Sequence, residues 1–185
     1  MKSIRTRILE IAHWHFMNYG YDKTSTREIA RELKITQPAV YHYFKNKEAL
    51  YYEVLLAFAT EIGQDLDTIA KQPSLDLNQH LKLMSQFIQE KHPMNFNMLM
   101  QDMDTLKSHD LKTELYHVWK QNYFDPFYYV FEIHSNSLRK DLSLQQTSLQ
   151  FLRILSVYIK PKLDKDDARN LSEMIDIFVR GVSDL

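Results

Sequence analysis

The sequence predicts an all-α protein, and three observations carry that expectation. Glycine and proline are scarce, 3 and 5 in 185 residues, too few for the frequent tight turns of a β-sandwich or barrel. Leu, Lys, Gln and Met, which lose little on entering a helix, are abundant. Apolar residues recur at helical spacing in one segment after another. With 44% hydrophobic and 25% charged residues, the chain has the composition of an ordinary folded protein.

Several function classes drop out on composition alone. The absence of cysteine excludes disulfides, thiolate metal sites and cysteine nucleophiles. The best uninterrupted apolar run, Val54 to Ala59, is far short of the roughly 20 residues that span a bilayer. The basic start, Met1 to Arg7, leads into an amphipathic stretch rather than a signal-peptide core. The expectation is a soluble, cytoplasmic protein with no membrane partner.

Taken in order, the first helix runs from Ile4, with apolar residues at 4, 8, 11, 12, 16 and 19, and stops at Gly20. Ser25 offers a hydroxyl cap, with Glu28 three residues on, for a short helix ending near Leu33. Thr36 caps a third, with Gln37 and Pro38 in its first turn, where the missing N–H of proline is tolerated. It ends near Phe44. Asn46 caps a long fourth helix traced by Leu50, Val54, Leu55, Phe58, Ile62, Leu66 and Ile69. Beyond it the prolines at 73, 93, 126 and 161 punctuate helices expected at about 75–91, 94–107, 110–135, 144–159 and 166–183, with Pro126 kinking or splitting the third.

Charge divides along the same line. The net charge is −1 overall, but residues 1–60 hold nine basic against six acidic side chains (+3) and residues 61–185 hold fourteen against eighteen (−4). That asymmetry suggests different partners for the two regions.

Two short helices joined by a tight turn, 25–33 and 37–44, have the arrangement of a helix-turn-helix. On a helical wheel Phe44 lies about 40° from Val40, whereas Pro38 and His42 lie about 160° and 200° away. One side is therefore core and the other open. The open side presents Pro38, Tyr41 and His42, flanked by Gln37, Ala39 and Tyr43, with Thr26, Arg27 and Lys47 from neighbouring helix starts.

The run from Thr24 to Leu50, including Thr36-Gln37-Pro38-Ala39-Val40-Tyr41-His42-Tyr43-Phe44-Lys45-Asn46-Lys47, resembles the DNA-binding domain of TetR-type transcriptional regulators. The likeness extends over about residues 4–55. It implies a domain at 1–46 that binds DNA, a connecting helix at 47–70, and a ligand-sensing and dimerising domain at 71–185. It further implies that the helix from Gln37 enters the major groove of a palindromic double-stranded operator as part of a homodimer.

Carried over position by position, Gln37 can reach a base edge and Pro38 or Ala39 a thymine methyl. Arg27 can pair with a guanine or a phosphate, and Thr26 with a phosphate. Tyr41, Tyr43 and Lys47 match positions that hold the backbone. Thr36 caps the reading helix, and His42 occupies a variable contact position. One departure stands out: Lys34 occupies the turn position where the family usually has glycine, a strain of about 1 kcal/mol if φ is positive.

The larger region is rich in methionine and aromatic side chains. Phe96, Met100, Met103, Trp119, Tyr123, Phe127 and Tyr128 suit a pocket for a small, lipophilic or aromatic effector, and they suit a protein core equally well. Asp102, Asp104, Glu114 and Glu132 can neutralise a cationic ligand or belong to solvated helix faces. The resemblance places the dimer interface on the last two amphipathic helices, with Leu152, Leu155, Ile175, Phe178 and Val182 as candidates; these stripes can instead close the core of one chain. The eight histidines form no HExxH and no i, i+4 pair with a third ligand nearby, so no metal and no cofactor is expected. No phosphate loop or nucleophile elbow occurs either. The expectation is a ligand-released repressor and not an enzyme; the alternatives are a DNA-binding regulator without a small effector or a helical metal-binding enzyme.

Overall fold

A computed structural model describes residues 2–91, 102–160, 162 and 164–184. It is helical throughout, and the only β pairing among the described residues is an isolated bridge between Leu138 and Ser183. The helices are α1 (Ile4–Lys23), α2 (Thr26–Glu32), α3 (Gln37–Tyr43), α4 (Lys47–Ala70), α5 (Leu77–Lys91), α6 (His109–Trp119), α7 (Asp125–Ile133), α8 (Leu144–Leu155) and α9 (Asp167–Val182). Residues pack into two compact units: 1–59 with 97–118, and 60–96 with 119–185.

In the first unit the caps expected at Ser25, Thr36 and Asn46 are made, and Ser3, which the sequence reading did not single out, caps α1. Ser3 accepts from the Thr6 N–H at 3.1 Å, Ser25 from Arg27 at 3.3 Å, Thr36 from Ala39 at 3.4 Å, and Asn46 from Ala49 at 2.7 Å. Gly20 interrupts α1 with φ 78°, where a side chain would be strained. The α2–α3 turn closes as a Schellman motif. The Lys34 N–H donates to the Arg31 carbonyl and the Ile35 N–H to the Ala30 carbonyl, which forces Lys34 to φ 56°. Lysine thus occupies the left-handed turn position that the sequence pointed to. Ile8, Ala12, Phe16, Ile29, Val40 and Leu50 are buried beneath these helices.

The second unit is built on α5, α7, α8 and α9. Asp76 and Gln79 cap α5 reciprocally, each side chain accepting the other residue's backbone N–H, at 2.8 and 3.0 Å. Phe127 and Phe131 meet Phe151 with ring centres 5.6 and 5.9 Å apart, and Phe178 closes on Phe151 at 5.1 Å. Leu81, Met84, Leu155, Leu171 and Ile175 complete this core.

The expected helix at 110–135 is divided at its proline, as follows from Pro126 having no N–H to give to the ladder. Residues Lys120–Phe124 form a π turn, in which the Asp125 N–H reaches back to the Lys120 carbonyl. Gly63 of α4 lies against this turn: a Cβ there would stand 2.4 Å from Asn122 Oδ1 and 3.0 Å from its Cα. The helix expected to reach 159 ends at Leu155. Of the segment expected at 94–107, residues 94–101 lie outside the described residues, while 102–105 are helical.

Candidate nucleic-acid interface

The open face of α3 and the start of α2 meet in one hydrogen-bond network. Gln37 Nε2 donates to Thr26 Oγ1 at 2.9 Å and reaches Tyr41 Oη at 3.4 Å, while Thr26 Oγ1 and Tyr41 Oη are 3.0 Å apart. Arg27 Nε donates to Gln37 Oε1 at 3.1 Å. The i, i+4 spacing puts Gln37 and Tyr41 on one side of α3, and the Schellman turn brings the first turn of α2 beside them. Thr26 is buried, so its hydroxyl is turned into the network. The guanidinium of Arg27 points to solvent with its fork partly free of the Nε bond.

Pro38, His42 and Tyr43 are exposed on the same helix, Ala39 is half-buried, and Thr36 is exposed at the cap. His42 and Tyr43 pack edge to face at 5.2 Å. Tyr41 and Tyr43 each keep about two-fifths of their surface in water, at 40% and 41%. Both rings are thus open to another molecule, although the Tyr41 hydroxyl is already engaged by Thr26 and Gln37.

Lys47, at the start of α4, stands with its ammonium 4.3 Å from the centre of the Tyr21 ring and donates to the Asp22 carbonyl at 3.3 Å. Burial lowers its pKa, although Asp22 and Asp102 pull the other way. Burial, helped by Glu48 and Asp22, pushes the Tyr21 phenol up to about 12. Arg5 lies 5.3 Å over the Phe44 ring and pairs with Glu53 at 2.8 Å.

Residue 102 differs from the expectation of either a ligand contact or a solvated helix face. Asp102 is 6% exposed, and its Oδ2 accepts the Tyr21 N–H at 2.9 Å and the Tyr51 hydroxyl at 3.1 Å. Its partners lie 81 and 51 positions away, so no local pattern announces them.

The remaining candidates are dispersed. Phe96 and Met100 lie outside the described residues, and Met103 is half-buried in the first unit. In the second unit Trp119 and Tyr128 flank Phe124, with ring centres 6.0 and 5.8 Å from it, and burial raises the Tyr123 phenol strongly. Phe127 is fully buried against Phe151. Leu155 and Ile175 are likewise fully buried in the core of their own unit, while Leu152, Phe178 and Val182 are half-buried. Ile154 (38%) and Ile177 (73%) stand exposed on the same two helices. They line a shallow cleft of about 430 Å³ with Tyr158, Met174 and Phe178.

Among the described residues no group of three or more His, Asp or Glu side chains could hold a metal ion. His80 Nδ1 and His134 Nε2 do meet, at 3.1 Å. Burial and the neighbouring His80 lower the pKa of His134. No helix among the described residues is long and apolar enough to cross a membrane.

Residues 8–54 match the bacterial regulatory proteins of the tetR family. The chain is similar to the HTH-type transcriptional repressor Rv1474c of Mycobacterium tuberculosis, with 31% identity over 71 residues, 38% of this chain and 36% of that protein. It spans little more than a third, or less, of each of the three curated relatives it matches. Solved structures extend the likeness to the whole fold. A TetR transcriptional regulator from Legionella pneumophila aligns over 99% of both chains with a TM-score of 0.79 and 16% identity. The regulator FadR from Bacillus subtilis, solved in complex with stearoyl-CoA, aligns over 96% of this chain and 98% of its own, with a TM-score of 0.77 and 15% identity.

Proposed function

We propose that this chain is a TetR-type transcriptional regulator, a cytoplasmic repressor that binds a palindromic operator as a homodimer and is released by a small lipophilic or aromatic effector. Residues 1–46 are the reading head, 47–70 the connecting helix and 71–185 the sensing and dimerising part. The observation that carries the proposal is the network of Thr26, Arg27, Gln37 and Tyr41 on the solvent side of α3.

Each side chain has a physical task in this reading. The network holds Gln37 and Arg27 in position before DNA arrives, which reduces the conformational entropy lost on binding. Arg27 and Gln37 face base edges, with Pro38, Ala39 and His42 beside them in the groove. Tyr41, Tyr43 and Lys47 contact phosphates and fix the register without reading sequence. Thr26 acts from within the network, and Thr36 shapes the start of α3. A single head of this size makes few base contacts; two heads on a two-fold axis, about 34–36 Å apart or more, supply specificity.

The dimer forms through α8 and α9, where Leu152, Phe178 and Val182 join the exposed Ile154 and Ile177; Leu155 and Ile175 support that surface from beneath. The effector enters among the aromatic side chains around Trp119, Tyr123 and Tyr128. The complex of FadR with stearoyl-CoA supports a lipophilic effector class. Release requires the effector to bind the non-reading conformation more tightly than the reading one.

The test is titration of the purified chain against palindromes from around its own gene. The expected result is saturable binding that weakens as salt rises and falls sharply in Gln37→Ala and Tyr41→Ala. Binding to no palindrome would overturn the proposal, whereas unchanged binding in both variants would overturn the residue roles alone.

A further inference from the structure

The break at Gly20 leaves the Tyr21 N–H outside the ladder of α1, and the acceptor that takes it comes from far along the chain. One oxygen of Asp102 accepts both that N–H, at 2.9 Å, and the Tyr51 hydroxyl of α4, at 3.1 Å. The Tyr21 and Tyr51 rings pack edge to face 5.1 Å apart, and Phe16 adds its edge to Tyr51 at 4.9 Å. A second tie lies close by: the Lys107 N–H donates to Glu48 at 3.1 Å. The helical turn that carries Asp102 is itself held by Thr105, whose hydroxyl donates to the Asp102 carbonyl at 2.8 Å.

We propose that Asp102 is a positioning residue for DNA binding, a latch that pins the end of α1 to the start of α4 and so sets where Lys47 meets the phosphates. The proposal rests on the DNA-binding reading above. Tyr21 is the ring beneath the Lys47 ammonium, and Asp22, next in the chain, supplies the carbonyl that Lys47 binds. Whatever fixes the Tyr21 backbone therefore fixes Lys47. The latch also stands on the segment 97–118, through which the chain returns to the first unit from residues 60–96.

The energetics suit a functional contact better than a purely stabilising one. Burial raises the Asp102 carboxyl above its ordinary value, against the lowering pull of the Tyr21 and Tyr51 hydrogen bonds and of Lys47. A carboxyl whose folded pKa exceeds its unfolded one costs stability above the folded value, and that cost is relieved as pH falls through it. Asn at this position keeps an oxygen to accept both hydrogen bonds while removing the desolvated charge, and Ala removes the acceptor.

The experiment measures affinity for a palindrome that the wild-type chain binds, in Asp102→Ala, Asp102→Asn and Tyr51→Phe, alongside thermal melting of each. Loss of the acceptor is expected to weaken binding by about tenfold in Asp102→Ala. Asp102→Asn should restore binding to within about twofold of wild type and melt no lower than it, and Tyr51→Phe should fall between. Melting separates positioning from stability: Asp102→Ala is expected to bind about tenfold more weakly while fully folded at the assay temperature, and a loss of binding that only tracks the unfolded fraction overturns the latch. Wild-type affinity in Asp102→Ala, or equal weakness in Ala and Asn, overturns the latch. If Asp102→Ala fails to fold, wild-type affinity in Tyr51→Phe overturns it instead. A wild-type chain that binds no palindrome brings down the DNA-binding reading itself, a result distinct from variants that bind as wild type does.

Discussion

Gln37 holds Arg27 through its carbonyl and Thr26 and Tyr41 through its amide, so any base it reads must compete with partners it already has. Arg27 gives only its Nε to that arrangement, and in the proposed reading its terminal nitrogens take the guanine edge. The two residues should therefore act as a unit. Arg27→Ala and Gln37→Ala are each expected to cost about 1–3 kcal/mol of operator binding. The double variant should lose less than their sum by about 0.5 kcal/mol or more; strict additivity in a double-mutant cycle would mean that the bond between them is idle on DNA. Lys34 is the other residue with a local cost. Its φ of 56° is imposed by the Schellman turn, and Lys34→Gly should raise stability by about 0.5–1 kcal/mol, visible as a melting temperature higher by about 1–4 °C. A lower melting temperature would show that the lysine side chain repays its strain. The lysine was readable in the sequence as a departure at a turn. Asp102 was not, because its partners are Tyr21 and Tyr51 and nothing in its neighbours predicts a contact across 81 positions.

Among the helices, legibility follows local chemistry. The starts of α2, α3 and α4 could be read because Ser25, Thr36 and Asn46 satisfy their own helix ends within three residues. The π turn at Lys120–Phe124 could be anticipated only as a disturbance near Pro126, since its register shift depends on what packs against it. Gly63 is that neighbour, and its role is steric. Gly63→Ala gains about 1 kcal/mol of helix propensity. It also drives a methyl toward the Asn122 Cα, an overpacking that costs about 1–3 kcal/mol because the backbone there cannot swing aside. The expected balance is a lower melting temperature; a higher one would mean that the π turn yields. The amphipathic stripes of α8 and α9 were legible as stripes, but periodicity does not say what covers them. Leu155 and Ile175 serve the chain's own core, and the exposed side chains beside them, Ile154 and Ile177, mark the face that remains.

At the scale of the whole molecule, a net charge of −1 conceals a basic head and an acidic remainder. A surplus of only three positive charges gives weak non-specific affinity that falls steeply with salt. In the proposed reading, recognition then comes from two heads held in register and from the few base contacts of α3. The Met and aromatic richness of the larger region was visible in the sequence, but pocket and core use the same residues. Phe127, fully buried against Phe151, shows how one such side chain can be consumed by packing. The head could be read further because its function lies on exposed side chains of short, locally capped helices. The central claim is that this chain reads a two-fold operator as a dimer through α3, and selection of bound duplexes from a random DNA pool tests it most directly. The account predicts enrichment of one inverted repeat, whose half-sites change when Arg27 or Gln37 is replaced. An unenriched pool, or a motif without two-fold symmetry, would contradict it.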